Sequence, residues 1–157
     1  MLFRSQRQQN ANGAAASNSS YLLTPAQTEG PFYPRQPLAD QDNDLTRIKG
    51  ASGRAKGEIT HLSGRILDAN GRSIRGVRVE IWQCDADGVY RHPQERSGAP
   101  DPNFQGFGYD VSGASGEYAF RTIKPVPYPG RTPHIQDRKS TRLNSSHVSE
   151  SRMPSSA

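Results

Sequence analysis

The chain has 157 residues, 32% of them hydrophobic, enough for one domain, and no apolar run approaches the roughly 20 residues that span a membrane. Its single cysteine, Cys84, excludes an intrachain disulfide and a zinc site built on several cysteines. The net charge of +5 is concentrated at the ends, +2 each over residues 1–20 and 137–157, so the middle lacks the basic surface that binds nucleic acid.

Residues 1–20 are predicted to be a disordered leader. Gln, Asn, Ala and Ser make up most of residues 6–20, which contain no large apolar side chain to offset the entropy cost of ordering. Residues 2–5 also match the translated end of a short-read sequencing adapter, so we expect the leader to be partly adapter-derived. The native amino terminus then lies elsewhere, and the cellular location is left open.

The segment from Tyr21 to Pro37 predicts an ordered, extended arm at the start of a domain that we place at residues 21–136. Prolines recur through this segment and Gly30 lies within it, which prevents a long helix. Residues 40–56 are polar apart from Leu45 and Ile48 and predict a surface loop.

Between Ile59 and Lys124 apolar and polar residues alternate with a period of two, which predicts β-strands. Turn-forming sequences such as Asp68–Gly71 and Asp85–Gly88 separate these strands, and no helical period is found. We therefore predict an all-β domain built as an antiparallel β-sandwich. The alternating residues include Leu62, Ile66, Val77, Val79, Ile81, Phe107, Tyr109, Val111, Tyr118 and Phe120.

A stiff loop follows the last of these strands and holds the residues best suited to chemistry. In residues 125–136, PVPYPGRTPHIQ, prolines restrict the backbone while Tyr128, Arg131 and His134 fall within seven positions. The β-pattern that precedes this loop fits an enzyme and a non-catalytic module equally well, because a β-sandwich serves both, so the loop is the decisive stretch. The stretch SGRILDANGRSIRGVRVEIW in particular resembles transthyretin-like and carboxypeptidase-regulatory accessory domains.

Four stretches of the chain carry a family resemblance: TEGPFYP at 28–34, WQCDADGVYRHP at 82–93, DPNF at 101–104 and GEYAFRTIKPVPYPGRTPHI at 116–135. Together they resemble the intradiol ring-cleavage dioxygenases, most closely the protocatechuate 3,4-dioxygenase type. The resemblance covers residues 23–135 and implies the β-sandwich fold of that family.

The resemblance implies one non-haem iron(III) ion, Fe(3+), held in this family by two tyrosinates and two histidines. The matching positions are Tyr90, Tyr128, His134 and Gln136, of which the last departs from the family's histidine. Phenolate oxygens are anionic ligands that suit a hard trivalent ion, and a bound metal ion lowers the pKa of the group that binds it. By the same resemblance, Arg131 would stabilise negative charge during the reaction and Tyr128 would accept a substrate proton.

Residue 136 and everything after it are interpreted as products of a sequencing adapter. Residues 137–147, DRKSTRLNSSH, match the adapter's translation residue for residue, and residues 151–157 match its far arm. A histidine codon cut short and joined to the adapter's first base would encode glutamine at 136. We therefore expect a truncated domain followed by a non-native tail, 137–157, that forms no cooperative structure and packs against nothing.

By resemblance, the natural parent opens a catechol-type ring between its two hydroxylated carbons and inserts both atoms of O2. It would act as a homo- or hetero-oligomer, without nucleic-acid or membrane partners. Two alternatives stay open: an accessory β-sandwich without metal and, for the chain as given, an inactive fragment. The residues expected to take no part in the chemistry are Cys84, His61, His92 and His147.

Overall fold

The structure of the protein is a computed structural model, which describes residues 22–36, 38–141 and 144–152. Regular structure in these residues is entirely β, and no helix among them could cross a membrane. The strands are β1 (Ile59–Arg65), β2 (Arg78–Trp82), β3 (Phe107–Val111), β4 (Glu117–Ile123), β5 (His134–Thr141) and β6 (Asn144–Arg152).

The strands form two antiparallel sheets. β1 pairs with β4 in a two-stranded sheet, and the order β3-β2-β5-β6 makes a four-stranded sheet. Leu62 and Phe120 of the smaller sheet belong to the same apolar cluster as Val79, Ile81 and Ile135 of the larger one. The predicted all-β sandwich is confirmed, with its core between the two sheets.

Alternation along β2 decides which of its side chains enter the core. Val79 and Ile81 are fully buried in the apolar cluster. Successive side chains of a strand point to opposite faces, so Arg78, Glu80 and Trp82 of β2 lie on the face away from the core. Residues directly opposite them in β3 and β5 share that face. We call this the outer face. It carries Arg78, Glu80, Trp82, Phe107, Tyr109, His134, Gln136 and Arg138.

The amino-terminal arm packs on this outer face. Residues 22–36 contain no strand, as an extended arm rich in proline predicts. Phe32, Tyr33 and Leu38 pack against an apolar cluster that includes Trp82. The arm therefore covers part of the sheet surface that the other sheet does not.

The prediction that residues 137–157 form no structure is wrong for the part that the structure describes. β5 pairs with β2 from Trp82↔Gln136 to Arg78↔Ser140, and β6 adds the next antiparallel strand. The prediction was based on the lack of apolar periodicity in these residues. Strand pairing, however, is made by backbone hydrogen bonds, so a strand can continue through polar residues. Asp137 is 5% exposed there.

Some predictions fall on residues that the structure does not describe. Residues 1–21, which include the expected disordered leader, lie outside the described ranges, as do residues 153–157 of the expected tail. Their interpretation stays a prediction.

Candidate metal centre

Tyr90 emerges from a tight turn after β2. Asp85 accepts a hydrogen bond from the N–H of Val89 at 2.9 Å, and Gly88 has a φ of +78°. A Cβ at Gly88 would lie 3.3 Å from a carbonyl oxygen of the loop that carries Tyr128, so glycine allows the turn and that loop to approach. Tyr90 follows the turn directly and is 3% exposed.

Tyr128 begins a four-residue turn shaped by Pro129 and Gly130. The N–H of Arg131 donates to the carbonyl oxygen of Tyr128 at 2.9 Å, and Gly130 has a φ of +81°. Proline followed by a glycine at positive φ is typical of a type II turn. The turn leaves Tyr128 half-buried and Arg131 exposed just before β5.

His134 is the first residue of β5 and is 2% exposed. Its Nδ1 lies 2.7 Å from the carbonyl oxygen of Thr132. A carbonyl oxygen can only accept, so this contact holds the proton on Nδ1. Nε2 is buried and has no hydrogen-bond partner among the described residues. In the neutral imidazole with its proton on Nδ1, the lone pair is on Nε2.

The side chains of Tyr90, Tyr128 and His134 meet in one aromatic group. The ring centroids of Tyr90 and Tyr128 are 5.4 Å apart with planes at 87°, and those of Tyr128 and His134 are 5.6 Å apart. The structure thus brings together three of the four positions predicted to bind a metal ion.

Burial raises the pKa of the Tyr90 hydroxyl far above its ordinary value. Cys84 and Tyr128 add to this shift, whereas the positive charge of Arg131 opposes it. Without a cation, Tyr90 is therefore a neutral phenol at ordinary pH. A multiply charged cation beside the hydroxyl would favour the phenolate and reverse that balance.

Gln136 is buried on the same face of β5 as His134. It is 8% exposed and lies opposite Trp82 of β2. Its Nε2 is 3.3 Å from the position that a Cβ on Gly30 would take, so the amide lies against the arm. The fourth predicted ligand position is therefore shielded from solvent but carries an amide in place of an imidazole.

The available donors fit a hard trivalent cation. His134 Nε2 is a buried nitrogen that lacks a partner among the described residues, and two phenols beside it can supply anionic oxygens. This set differs from the commoner clusters of His, Cys, Asp and Glu, and the described part of the chain contains no group of three such residues able to hold a metal ion.

Two residues at this site were not singled out by the sequence analysis. Phe32 of the arm stacks on Tyr90 with ring centroids 4.4 Å apart and planes at 15°. Glu95 accepts a hydrogen bond from the backbone N–H of Tyr90 at 2.9 Å. Phe32 lies within the TEGPFYP stretch, so a signal was present, whereas nothing in the local sequence ties Glu95 to Tyr90.

The residues expected to take no part in the chemistry differ in their distance from the site. His92 is half-buried, with its ring edge-on to Phe32 at 5.8 Å between centroids. Cys84 is buried in the cluster that contains Tyr90, and burial raises the pKa of its thiol to about 11. His61 is exposed on β1, and His147 falls in β6.

Comparison with known proteins identifies the family of this chain. A family model described as "Dioxygenase" matches residues 28–152. The beta chain of protocatechuate 3,4-dioxygenase from Burkholderia cepacia is 42% identical over 100 residues, covering 63% of this chain and 43% of that one. Hydroxyquinol 1,2-dioxygenase from Corynebacterium glutamicum is 32% identical over 118 residues, covering 73% of this chain and 35% of that one.

The chain belongs to the intradiol ring-cleavage dioxygenase family. A solved intradiol ring-cleavage dioxygenase from Tetranychus urticae has a TM-score of 0.66 at 28% identity, covering 83% of this chain and 64% of that one. The dioxygenase domain of a carbohydrate-binding fusion from Streptomyces sp. SirexAA-E has a TM-score of 0.64 at 27% identity, covering 84% and 75%. The chain spans less than half the length of the two curated relatives, 43% and 35%.

Proposed function

We propose that this chain is part of an iron(III)-dependent intradiol dioxygenase in which Tyr90, Tyr128, His134 and position 136 hold one non-haem iron ion. The observation that carries the proposal is His134 Nε2, a buried nitrogen without a hydrogen-bond partner among the described residues, beside two phenols. The named relatives support a catechol-type substrate, since they are dioxygenases of protocatechuate and hydroxyquinol.

Iron(III) bound at these residues would supply a Lewis acid that binds a catecholate and makes its ring reactive towards O2. The proposed reaction opens the ring between the two hydroxylated carbons and inserts both oxygen atoms, which gives a muconate-type diacid. The residues of this chain would contribute the ligands, a proton acceptor and a positive charge.

The two tyrosines suit different roles because their burial differs. Tyr90 is 3% exposed and stacked against Phe32, so its phenolate would stay in place as a permanent ligand. Tyr128 is half-buried on a loop turn, so its oxygen has room to move and to accept a proton from an incoming catechol hydroxyl. Tyr128 would therefore be the more mobile of the two ligands and would take up the substrate proton.

Arg131 supplies positive charge on the exposed side of the site. Burial raises the pKa of Tyr90, whereas the positive charge of Arg131 acts against that rise. The same charge would attract a catecholate and stabilise the negative charge that develops as the diacid forms. Arg131 is therefore proposed as a catalytic residue.

An assembly of several subunits is part of the proposal. Relatives of this chain include both the beta chain and the alpha chain of protocatechuate 3,4-dioxygenases. The chain would act in a homo- or hetero-oligomer of this kind.

The test is a titration of the purified chain with iron(III), followed by the visible charge-transfer band of tyrosinate bound to iron(III). We expect a band in the chain and a weaker one in Tyr90→Phe, which removes the phenol oxygen but keeps the ring. Tyr118→Phe is the matched control: burial raises the pKa of Tyr118 too, yet this residue packs against the core between the sheets. It should leave the band unchanged.

The possible results separate the candidate functions. A chain that remains colourless with iron bound would contradict the proposal, and a chain that binds no iron would favour a non-catalytic β-sandwich module. Colour without catechol-dependent oxygen uptake would identify an inactive fragment that keeps the metal site.

A further inference from the structure

Tyr90 is held on its backbone side by the carboxylate of Glu95. The chain turns after Tyr90, with the N–H of His92 donating to the carbonyl oxygen of Tyr90 and the N–H of Glu95 donating to that of His92, both at 3.0 Å. The turn brings Glu95 Oε2 to 2.9 Å from the N–H of Tyr90. Tyr90 belongs to no strand, so its N–H has no hydrogen-bond acceptor on a neighbouring strand, and the Glu95 carboxylate accepts from it instead.

The other carboxylate oxygen is anchored within the loop. Glu95 Oε1 accepts hydrogen bonds from the N–H groups of Arg96 and Ser97, both at 2.8 Å, and from the Ser97 hydroxyl at 2.7 Å. Burial would raise the pKa of this carboxyl, but hydrogen bonds from Ser97, Tyr90 and Arg96 outweigh burial and lower the pKa to about 2. The side chain is therefore charged and fixed at neutral pH.

Tyr90 is thus held at two points. Phe32 stacks on its ring at 4.4 Å, and Glu95 binds its backbone N–H. If the backbone of Tyr90 rotated, the Cα–Cβ bond would swing and carry the hydroxyl away from that of Tyr128. A metal ion at this site would need the hydroxyl oxygens of Tyr90 and Tyr128 close together, because metal affinity depends on ligands that are already oriented.

We propose that Glu95 is a positioning residue for Tyr90, which fixes the backbone from which the phenol reaches the metal site. The metal readout of this inference rests on the proposed function. The orientation of Tyr90 itself can be measured without metal.

Three variants of the full chain test the role. Groups that orient metal ligands contribute about 10- to 100-fold to affinity, so we expect Glu95→Ala to lower iron(III) affinity by that factor. Glu95→Gln keeps one oxygen that can accept from Tyr90, so a smaller loss is expected. Glu117→Ala is the control, because Glu117 Oε2 accepts from the N–H and hydroxyl of Ser115, at 2.8 and 2.6 Å, in an exposed turn.

NMR spectra of the metal-free, tyrosine-labelled chain give a second readout. The ring current of Phe32 shifts the ring signals of Tyr90, because the two rings are stacked. We expect Glu95→Ala to change that shift and to speed the exchange of the Tyr90 amide hydrogen. Glu117→Ala should change neither.

Each outcome decides the role of Glu95. Unchanged Tyr90 signals and unchanged iron affinity in Glu95→Ala would overturn the inference, as would equal effects in Glu117→Ala. If Glu95→Ala does not fold, Glu95→Met carries the same test, because it keeps most of the side chain but has no oxygen that could accept from the Tyr90 N–H; unaltered Tyr90 signals in that variant would overturn the inference. If no variant binds iron while the Tyr90 signals shift as expected, the proposed function fails and the positioning role stands.

Discussion

At the scale of single residues, the site depends on polar groups that the fold buries without full compensation. His134 Nε2 has no hydrogen-bond partner in the described part of the chain. A buried polar atom of this kind costs roughly 1–3 kcal/mol, which a bound metal ion would relieve. Position 136, buried two residues further along the same face of β5, is the fourth position of the proposed ligand set.

Gln136→His is expected to strengthen iron(III) binding by about tenfold or more, because an imidazole binds the ion more strongly than a neutral amide oxygen does. The measurement is an iron titration followed by the tyrosinate charge-transfer band. Gln36→His is the control, since it adds a histidine at an exposed position of the arm. Equal affinity in Gln136→His and the unchanged chain would remove position 136 from the proposed ligand set.

The same substitution is not expected to produce turnover by itself. The chain covers only 43% of the protocatechuate dioxygenase beta chain that it matches. We expect catechol-dependent oxygen uptake only when Gln136→His is combined with the carboxy-terminal part of a relative. Turnover by the chain as given would show that the added part is not needed.

Glu95 is expected to make the metal-free chain sensitive to acid. Hydrogen bonds outweigh burial and hold its pKa at about 2 in the folded chain, whereas an unfolded Glu titrates near pH ~4.3. Its stabilisation is therefore fully present above the unfolded value and is lost as pH falls towards 2. Urea unfolding across this range should show a shallower pH dependence in Glu95→Gln, and an unchanged slope would contradict the assignment.

At the scale of elements, a buried carboxylate connects the arm to the four-stranded sheet. Glu80 of β2 is 6% exposed. It accepts a hydrogen bond from the Tyr33 hydroxyl at 3.0 Å and one from Arg78 Nε at 2.7 Å. These contacts hold the arm on the outer face. They also provide the hydrogen bonds that a carboxylate needs when it is buried.

The neighbouring strand adds to this attachment. Arg138 of β5 lies 3.7 Å from Glu29 of the arm, and its guanidinium is 5.0 Å from the centre of the Tyr33 ring. The same arm presents Phe32 to Tyr90. The ionic contacts between the arm and the sheet therefore help to place the Phe32 ring that stacks on Tyr90 of the candidate site.

Glu80→Ala is expected to lower the free energy of unfolding by about 1–3 kcal/mol, because it removes a buried acceptor that binds the half-buried Tyr33 hydroxyl and the partly exposed Arg78 guanidinium. Glu58→Ala is the matched control, since Glu58 forms an exposed ion pair with Lys124 at 3.6 Å, worth under about 1 kcal/mol. Urea unfolding measures both variants. An equal decrease in the free energy of unfolding in both variants would show that burial does not make the Glu80 contacts more stabilising than an exposed ion pair.

At the scale of the whole molecule, β5 connects the core to the site. It lies between β2 and β6 in the larger sheet. Ile135 joins the core cluster between the sheets, while His134 contributes to the aromatic group with Tyr128. A strand with neighbours on both sides is the most constrained part of a sheet, which suits it to hold a ligand in place.

Amide hydrogens in residues 136–140 are expected to exchange as slowly as those of β2, because the ladder with β2 covers this range. The interpretation of residues 137–157 as a tail without structure predicts fast exchange there instead. Hydrogen exchange followed by mass spectrometry distinguishes the two. Fast exchange at 137–141, with slow exchange in β2, would place the end of the ordered strand near residue 136.

We propose that residues 2–5 and 137–157 derive from sequencing adapters. The match of residues 137–147 is residue for residue, although the family model extends across them to residue 152. Strand pairing does not test where a segment comes from. Genomic DNA that continues with histidine at 136 would support the proposal, and adapter-free DNA that encodes DRKSTR would contradict it.

The candidate site was predictable only in part. Tyr128, Arg131 and His134 are neighbours along a loop stiffened by proline, so the sequence alone placed them together. Tyr90 could be joined to them only through family resemblance. Nothing local indicated Glu95, because its contact with Tyr90 depends on how the loop after the turn folds back.

The sequence by itself determined the strands β1 to β4 and the turns between them, because alternation of side chains and turn residues act over a few neighbouring positions. Only the tertiary structure decided that β5 continues past residue 136, that the site lies on the outer face, and that the arm covers it. Those features depend on contacts such as Tyr33 with Glu80, which are 47 residues apart. Packing of the folded chain, rather than a local pattern, brings such residues together.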